Sequence, residues 1–174
     1  MNNWYVITGA PCSGKTTLLN FLIEKGYSVL NEVARIYIDD EIALGKTLEE
    51  IRANELAFQR KILNLKIERE KNLPKNEVYF FDRGIPDSDA YYKLQNIEND
   101  EFMNEALKNC YYKKVFLLEP YDYKLDYART ETKEEQLKLH EYLEESYKKI
   151  GAEIIKVPRM AVKIERAEFV LKNL

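Results

Sequence analysis

The run Gly9-Ala-Pro-Cys-Ser-Gly-Lys-Thr16 constrains this chain more than any other feature. It matches G-x-x-x-x-G-K-[ST], and the pattern carries weight because of what flanks it. Before it, Trp4-Tyr-Val-Ile-Thr8 is rich in β-branched and aromatic residues and reads as a buried strand. After it, Leu18, Leu19, Phe21, Leu22 and Ile23 recur at roughly helical spacing up to a stop at Gly26. Gly9 and Gly14 permit backbone conformations in which successive N–H groups turn into one concavity and hold an anion. The following helix presents its positive end at the same place. Lys15 supplies a charge for β- and γ-phosphates, and the Thr16 hydroxyl suits Mg²⁺. Residues Gly9, Ala10, Pro11, Cys12, Ser13, Gly14, Lys15 and Thr16 are therefore expected to hold the Mg²⁺ complex of ATP or GTP.

The rest of the chain supplies a frame for such a loop. Four more strand candidates follow: Tyr27 to Asn31, Val78 to Phe81, Lys114 to Leu118 and Ala152 to Val157. Helical periodicity appears between them, over Thr47 to Asn72, over Lys133 to Ile150 and from Arg159 to Leu171. Five short apolar runs alternating with helices predict an α/β fold: a five-stranded parallel sheet covered by helices on both faces, three layers in one domain over 1–174. Ligands of such sheets sit beyond the carboxyl ends of the strands.

Charge and composition exclude several classes. The 27 basic and 30 acidic residues are interspersed, net −3, which gives no basic face for duplex nucleic acid. No window approaches a membrane span, and the N-terminus lacks the pattern of a secretory leader. Cys12 and Cys110 make no disulfide framework, and Cys12 lies inside the phosphate loop, which fits a reducing cytoplasm.

The residues just after the strands are the candidates for chemistry. Asp82 follows Val78-Tyr-Phe-Phe81 and can bring a carboxylate to the Mg²⁺ held by Thr16, or can simply end a strand. Arg83 can bind a phosphoryl group or anionic acceptor through its bidentate fork, or form a salt bridge. Glu32 and Arg35, three apart on one side of a helix, make either an ion pair or an acceptor site in which Glu32 orients a hydroxyl or a water. Arg129 sits in a polar stretch from which a lid can reach the phosphates, or it is an ordinary surface arginine. Gln59 and Arg60 are further candidates for acceptor contact. His140 reads as a structural helix residue, and Cys12 as a loop residue without a catalytic task.

Several separated segments fit one family. Val6-Ile-Thr-Gly-Ala-Pro-Cys-Ser-Gly-Lys-Thr-Thr-Leu-Leu19, Asn31-Glu-Val-Ala-Arg35, Phe81-Asp-Arg-Gly-Ile-Pro-Asp87 and Leu139-His-Glu-Tyr-Leu143 resemble the AAA-type predicted-ATPase, kinase-like branch of P-loop proteins, with the ribosylnicotinamide kinase domain a more distant relative. Tyr147-Lys-Lys-Ile-Gly151 and Val157-Pro-Arg159 extend the resemblance over nearly the whole chain. It implies a nucleoside-kinase-like fold, ATP bound at Gly9 to Thr17, and roles for Glu32, Arg35, Asp82, Arg83 and Arg129. The chain departs from the commonest loop at Cys12, where glycine is frequent, and at Ala128, where a second charge often precedes the arginine. The expected activity is transfer of the ATP γ-phosphoryl group to a small nucleoside- or nucleotide-like acceptor. Two alternatives stand beside it: hydrolysis of the nucleotide with water as acceptor, and a nucleotide-dependent switch presenting a partner surface along Thr47 to Asn72.

Overall fold

The computed structural model describes residues 2–122 and 132–174. The chain runs β1 (Asn3–Thr8), α1 (Lys15–Glu24), β2 (Ser28–Leu30), α2 (Val33–Ala43), α3 (Leu48–Ile51), α4 (Glu55–Lys71), β3 (Val78–Asp82), α5 (Ile85–Leu94), α6 (Glu101–Asn109), β4 (Lys114–Leu118), α7 (Lys133–Lys149), β5 (Ile154–Val157) and α8 (Lys163–Lys172). All strand pairs are parallel, in the order β2-β3-β1-β4-β5.

Alternation along the strands builds the three layers, because successive side chains of a strand point to opposite faces. Tyr5 and Ile7 of β1, Phe80 of β3 and Phe116 and Leu118 of β4 pack on one face with Leu18, Leu19 and Leu22 of α1 and Ala167 and Val170 of α8. On the other face, Trp4, Val6, Phe81 and Val115 meet Tyr112 and Tyr147, and Leu117 meets Ala90 of α5 and Leu139 and Leu143 of α7. The central strands β1, β3 and β4 bury residues on both faces, which is why they read as nearly continuous apolar runs, whereas the edge strands β2 and β5 leave Ser28 and Lys156 exposed.

The order also creates the site. β1 lies centrally with β3 on one side and β4 on the other, so the chain leaves β1 at the point where connections diverge, the usual crevice for a ligand. Register sets Ile7 opposite Asp82, which brings the turn after β3 beside the loop after β1.

Three expectations change. The helix expected over Thr47 to Asn72 is two helices: Thr47 and Glu50 start α3 with a capping box, the helix ends at its C-cap Arg52, and the Asn54 side chain accepts the Ala57 N–H at 3.0 Å and starts α4 afresh. Helices α5 and α6 went unread, the first because Pro86 at its second position looks like a breaker while serving as a helix starter. Helix α8 begins after Val162 rather than at Arg159. Among the described residues no helix is long and apolar enough to cross a membrane.

Candidate active site

The loop after β1 takes a shape that requires glycine at two of its positions. Gly9 has φ +148°, and a Cβ there would lie 2.6 Å from the Leu118 carbonyl oxygen and 2.9 Å from Ser13 Oγ. Gly14 has φ +80° and precedes the first turn of α1. Cys12, where glycine is frequent in related loops, takes φ 61°, a left-handed conformation that costs a side-chain-bearing residue some strain. Lys15 is buried and donates from Nζ to the Gly9 carbonyl at 3.0 Å, while Thr16 and Thr17 are exposed at the start of α1. Burial, and next the positive charge of Arg83, lower the Lys15 pKa to about 8, against the pull of Asp82, Glu32 and Asp87.

Two helices from the far end of the chain brace this loop. Gln136 of α7 donates to the Pro11 carbonyl at 2.6 Å. Arg166 of α8 is almost fully buried and donates to the carbonyls of Ser13 (2.5 Å), Glu119 (2.8 Å) and Pro158 (2.7 Å), with its guanidinium 4.4 Å from the Tyr121 ring centre. Sequence reading missed both residues, because a buried arginine that serves backbone carbonyls carries no local motif.

Next to the loop stands a charge cluster built by the turn after β3. Arg83, at φ 69°, is buried and donates from Nε to Glu32 Oε1 at 2.9 Å and from Nη1 to Asp87 Oδ1 at 3.0 Å. Asp87 is fully buried and also accepts from Thr8 Oγ1 (2.6 Å), the Gly84 N–H (3.0 Å) and Tyr147 OH (2.5 Å). Burial works against its charge, but Arg83, Lys66 and these hydrogen bonds win and hold the carboxyl below the usual aspartate range. Glu32 shows the same balance: burial opposes ionisation, and Arg83, Lys15 and Lys66 keep its pKa lowered.

Asp82 behaves differently. Burial first, and then the charge of Glu32, push its pKa up to about 7, and its Oδ1 is buried without a hydrogen-bonding partner. An orphaned carboxylate oxygen in the pocket that Thr16 also lines fits a divalent cation carried in on a nucleotide, since a cation would supply the missing partner and restore the charged form.

These groups open into one pocket of about 360 Å³ that starts at Lys15, Thr16 and Asp82 and continues past Glu32, Arg35 and Arg83 between α2 and α4. Its far wall carries Phe58, Ile62 and Tyr91. Gln59 is there too, buried and donating to Glu55 at 2.8 Å. Arg60 is not: it turns outward to Asp100, because one step along α4 moves a side chain about 100° around the axis. Lys66, which sequence reading passed over, is buried in the pocket wall and donates to the Gly84 carbonyl at 2.8 Å and to Ser88 Oγ at 3.0 Å. Arg129 lies outside the described residues. His140 is half-buried on α7, with Nδ1 lacking a hydrogen-bonding partner.

A family model described as an AAA domain matches residues 4–166. No curated protein sequence matches the chain. Solved structures do. A NadR protein in complex with NR superposes with a TM-score of 0.71 at 18% identity, over 98% of this chain and 49% of the other, so the chain spans about half the length of that protein. Deoxyadenosine kinase from M. mycoides with bound dATP gives a TM-score of 0.64 at 17% identity, covering 98% of each chain. Thymidylate kinase from Ehrlichia chaffeensis gives 0.68 at 15% identity, covering 99% of this chain and 97% of the other. At these identities the likeness establishes the fold, the three-layer arrangement of P-loop kinases.

Proposed function

The chain belongs to the AAA domain family, and from that premise we propose that it is an ATP-dependent kinase that transfers a γ-phosphoryl group to a small, nucleoside- or nucleotide-like acceptor. One observation carries the reading. The pocket does not end at the phosphate loop: it runs on past Glu32 to a wall of Phe58, Ile62 and Tyr91, with Gln59 buried beside them. A hydrolase using water has no need of that extension, whereas a flat ring with hydrogen-bonding edges fits a wall of Phe58, Ile62 and Tyr91 edged by polar side chains, Asp39, Arg52 and Gln59 among them.

The division of labour follows from the geometry. The loop N–H groups and Lys15 take the phosphates, and Lys15 trades its bond to the Gly9 carbonyl for a phosphate oxygen. Thr16 and Asp82 are the residues that would hold Mg²⁺, which would neutralise charge on the phosphates. Glu32, kept ionised by Arg83, accepts a hydrogen bond from the acceptor hydroxyl and aims its oxygen along the line of transfer. Its low pKa suits orientation more than early deprotonation, which a loose phosphoryl-transfer transition state does not require. Arg35, on the first turn of α2, faces the same space and is assigned to acceptor or phosphate, and the role proposed for Arg129, outside the described residues, is to meet the phosphates as a lid arginine. ATP as donor and a cytoplasmic setting belong to this proposal.

The test is ATP consumption by the purified protein with Mg²⁺, alone and with a panel of nucleosides, nucleotides and vitamin precursors, followed by mass spectrometry. A stimulated rate with a product about 80 Da heavier than one panel member, the mass of one transferred phosphoryl unit, supports the kinase. An equal rate with and without every acceptor sinks it in favour of hydrolysis.

A further inference from the structure

A second cavity, of about 650 Å³, lies by the amino end of β1, away from the phosphate loop. Trp4 of β1, Ile67 and Glu70 of α4, Ile85 at the start of α5, and Phe102 and Ala106 of α6 line it. Its volume falls within the range that holds small organic ligands, and its walls are largely apolar and aromatic. Of the charged and amide side chains that line it, Lys71, Lys75, Glu105 and Asn109 are exposed, and two, Asn2 and Glu70, are buried and present hydrogen-bond acceptors. Asn2 also lines the cavity and is more than nine-tenths buried; its Nδ2 donates to the Tyr111 carbonyl at 2.8 Å, but its Oδ1 has no partner at all. Glu70 is a buried carboxyl with one oxygen held by Tyr112 OH at 2.6 Å. Buried acceptors left short of donors are costly, so a molecule that brings N–H groups gains from meeting them.

We propose that this cavity is a second ligand site, taking a small planar heteroaromatic amine whose N–H groups bond Asn2 Oδ1 and the Glu70 carboxyl while its ring packs against Trp4 and Phe102. The site is wired to the first pocket. Tyr112 OH, which donates to Glu70, accepts the Ile85 N–H at 2.8 Å, two residues from Arg83. Lys66, one turn before Glu70 on α4, holds the Gly84 carbonyl between them. A ligand that engages Glu70 changes the partner of Tyr112, and with it the start of α5 and the turn that carries Arg83. Coupling of this kind is reciprocal, so the ligand changes nucleotide affinity and nucleotide changes ligand affinity by the same factor.

The test uses 2-aminobenzimidazole as probe, titrated calorimetrically into the full chain with saturating ADP and Mg²⁺, with 1-methylbenzimidazole, which has no N–H donor, as control. The expected result is binding at about 1 mM or tighter, with the control about a hundredfold weaker, about tenfold for each of the two hydrogen bonds to buried acceptors that it cannot make. Asn109→Trp, from an exposed α6 position on the cavity lining, fills the mouth and abolishes binding. Glu70→Gln keeps the shape and weakens probe binding about tenfold. In wild type the probe shifts the ADP dissociation constant about fivefold, and in Asn109→Trp it does not. Failure of the probe to bind, equal binding of the control, or wild-type binding by both variants overturns the site. An ADP affinity that ignores bound probe overturns the coupling. None of these readouts requires turnover, so they stand or fall independently of the kinase reaction.

Discussion

Glu32 Oε1 lies 2.9 Å from Arg83 Nε, although 51 positions separate the two residues in sequence. The pair joins the turn before α2 to the turn after β3 across the mouth of the pocket. Arg83 is held on its other side by Asp87, so the orientation of Glu32 rests on an arginine that is itself fixed.

Replacing Glu32 with Gln preserves the side chain's size and its ability to accept a hydrogen bond, while removing the charge. ATP binding, which depends on the loop and Lys15, is expected to change little. Turnover is expected to fall about 10²-fold or more, the usual worth of a positioned base. Steady-state kinetics together with a binding titration check it, and full turnover in Glu32→Gln removes Glu32 from the mechanism.

Arg83→Ala leaves Asp87 fully buried with its ionic partner gone. Breaking a buried pair from one side costs about 3 kcal/mol or more. For a chain of this size that lowers Tm by about 10 °C, measurable by calorimetry. Arg83→Lys recovers only part of the loss, because a single ammonium cannot reproduce the two directions in which the guanidinium donates to Glu32 and Asp87.

How far the sequence could be read follows from the range of its signals. The phosphate loop and all five strands were legible because each is local: a glycine pattern between strand and helix, and apolar runs bounded by turns. Asp82 and Arg83 were legible because a strand end points to them. Gln136, Arg166 and Lys66 were not, since each acts on a backbone carbonyl distant in sequence, 125 positions away for Gln136 and Pro11. Nor was Glu70, which in sequence is one of many charges on an amphipathic helix and in the fold is a buried partner of Tyr112. Arg60 was misplaced by one helical position. The division at Asn54 was missed because periodicity continues through it and only the cap marks the break.

Arg166→Met keeps most of the apolar stem and removes the donors. The carbonyls of Ser13, Glu119 and Pro158 lose a charged partner in a buried setting, and the phosphate loop loses its brace. A loss of about 2 kcal/mol in stability is expected. Nucleotide affinity is expected to weaken about tenfold, although Arg166 does not line the pocket. Unchanged ADP affinity by titration shows that the loop holds its shape without α8.

The pH dependence of the nucleotide-free protein gives a test of Asp82 that needs no substrate. Its folded pKa, about 7, lies above the unfolded value of 3.8, so between these two the folded state binds more protons. Its contribution to stability is therefore fully present below about pH 4 and is lost as pH rises through 7. Lys15 runs on a different window: its pKa of about 8 lies below 10.5, so stability rises with pH between them as the buried ammonium neutralises. Glu32 and Asp87, with lowered pKa values, lose their contribution only as pH falls below the ordinary carboxyl range. Glu70, which burial pushes up to about 7, shares the Asp82 window, and the comparison with Asp82→Asn separates the two. Denaturant melts from pH 4 to 7 are expected to show wild type losing stability relative to Asp82→Asn as pH rises. Addition of ADP with Mg²⁺ should remove most of that difference in slope, because a cation beside the carboxylate favours its charged form. Parallel stability curves for the two proteins across this range mean that Asp82 titrates as an ordinary aspartate and that its orphaned oxygen is satisfied by water.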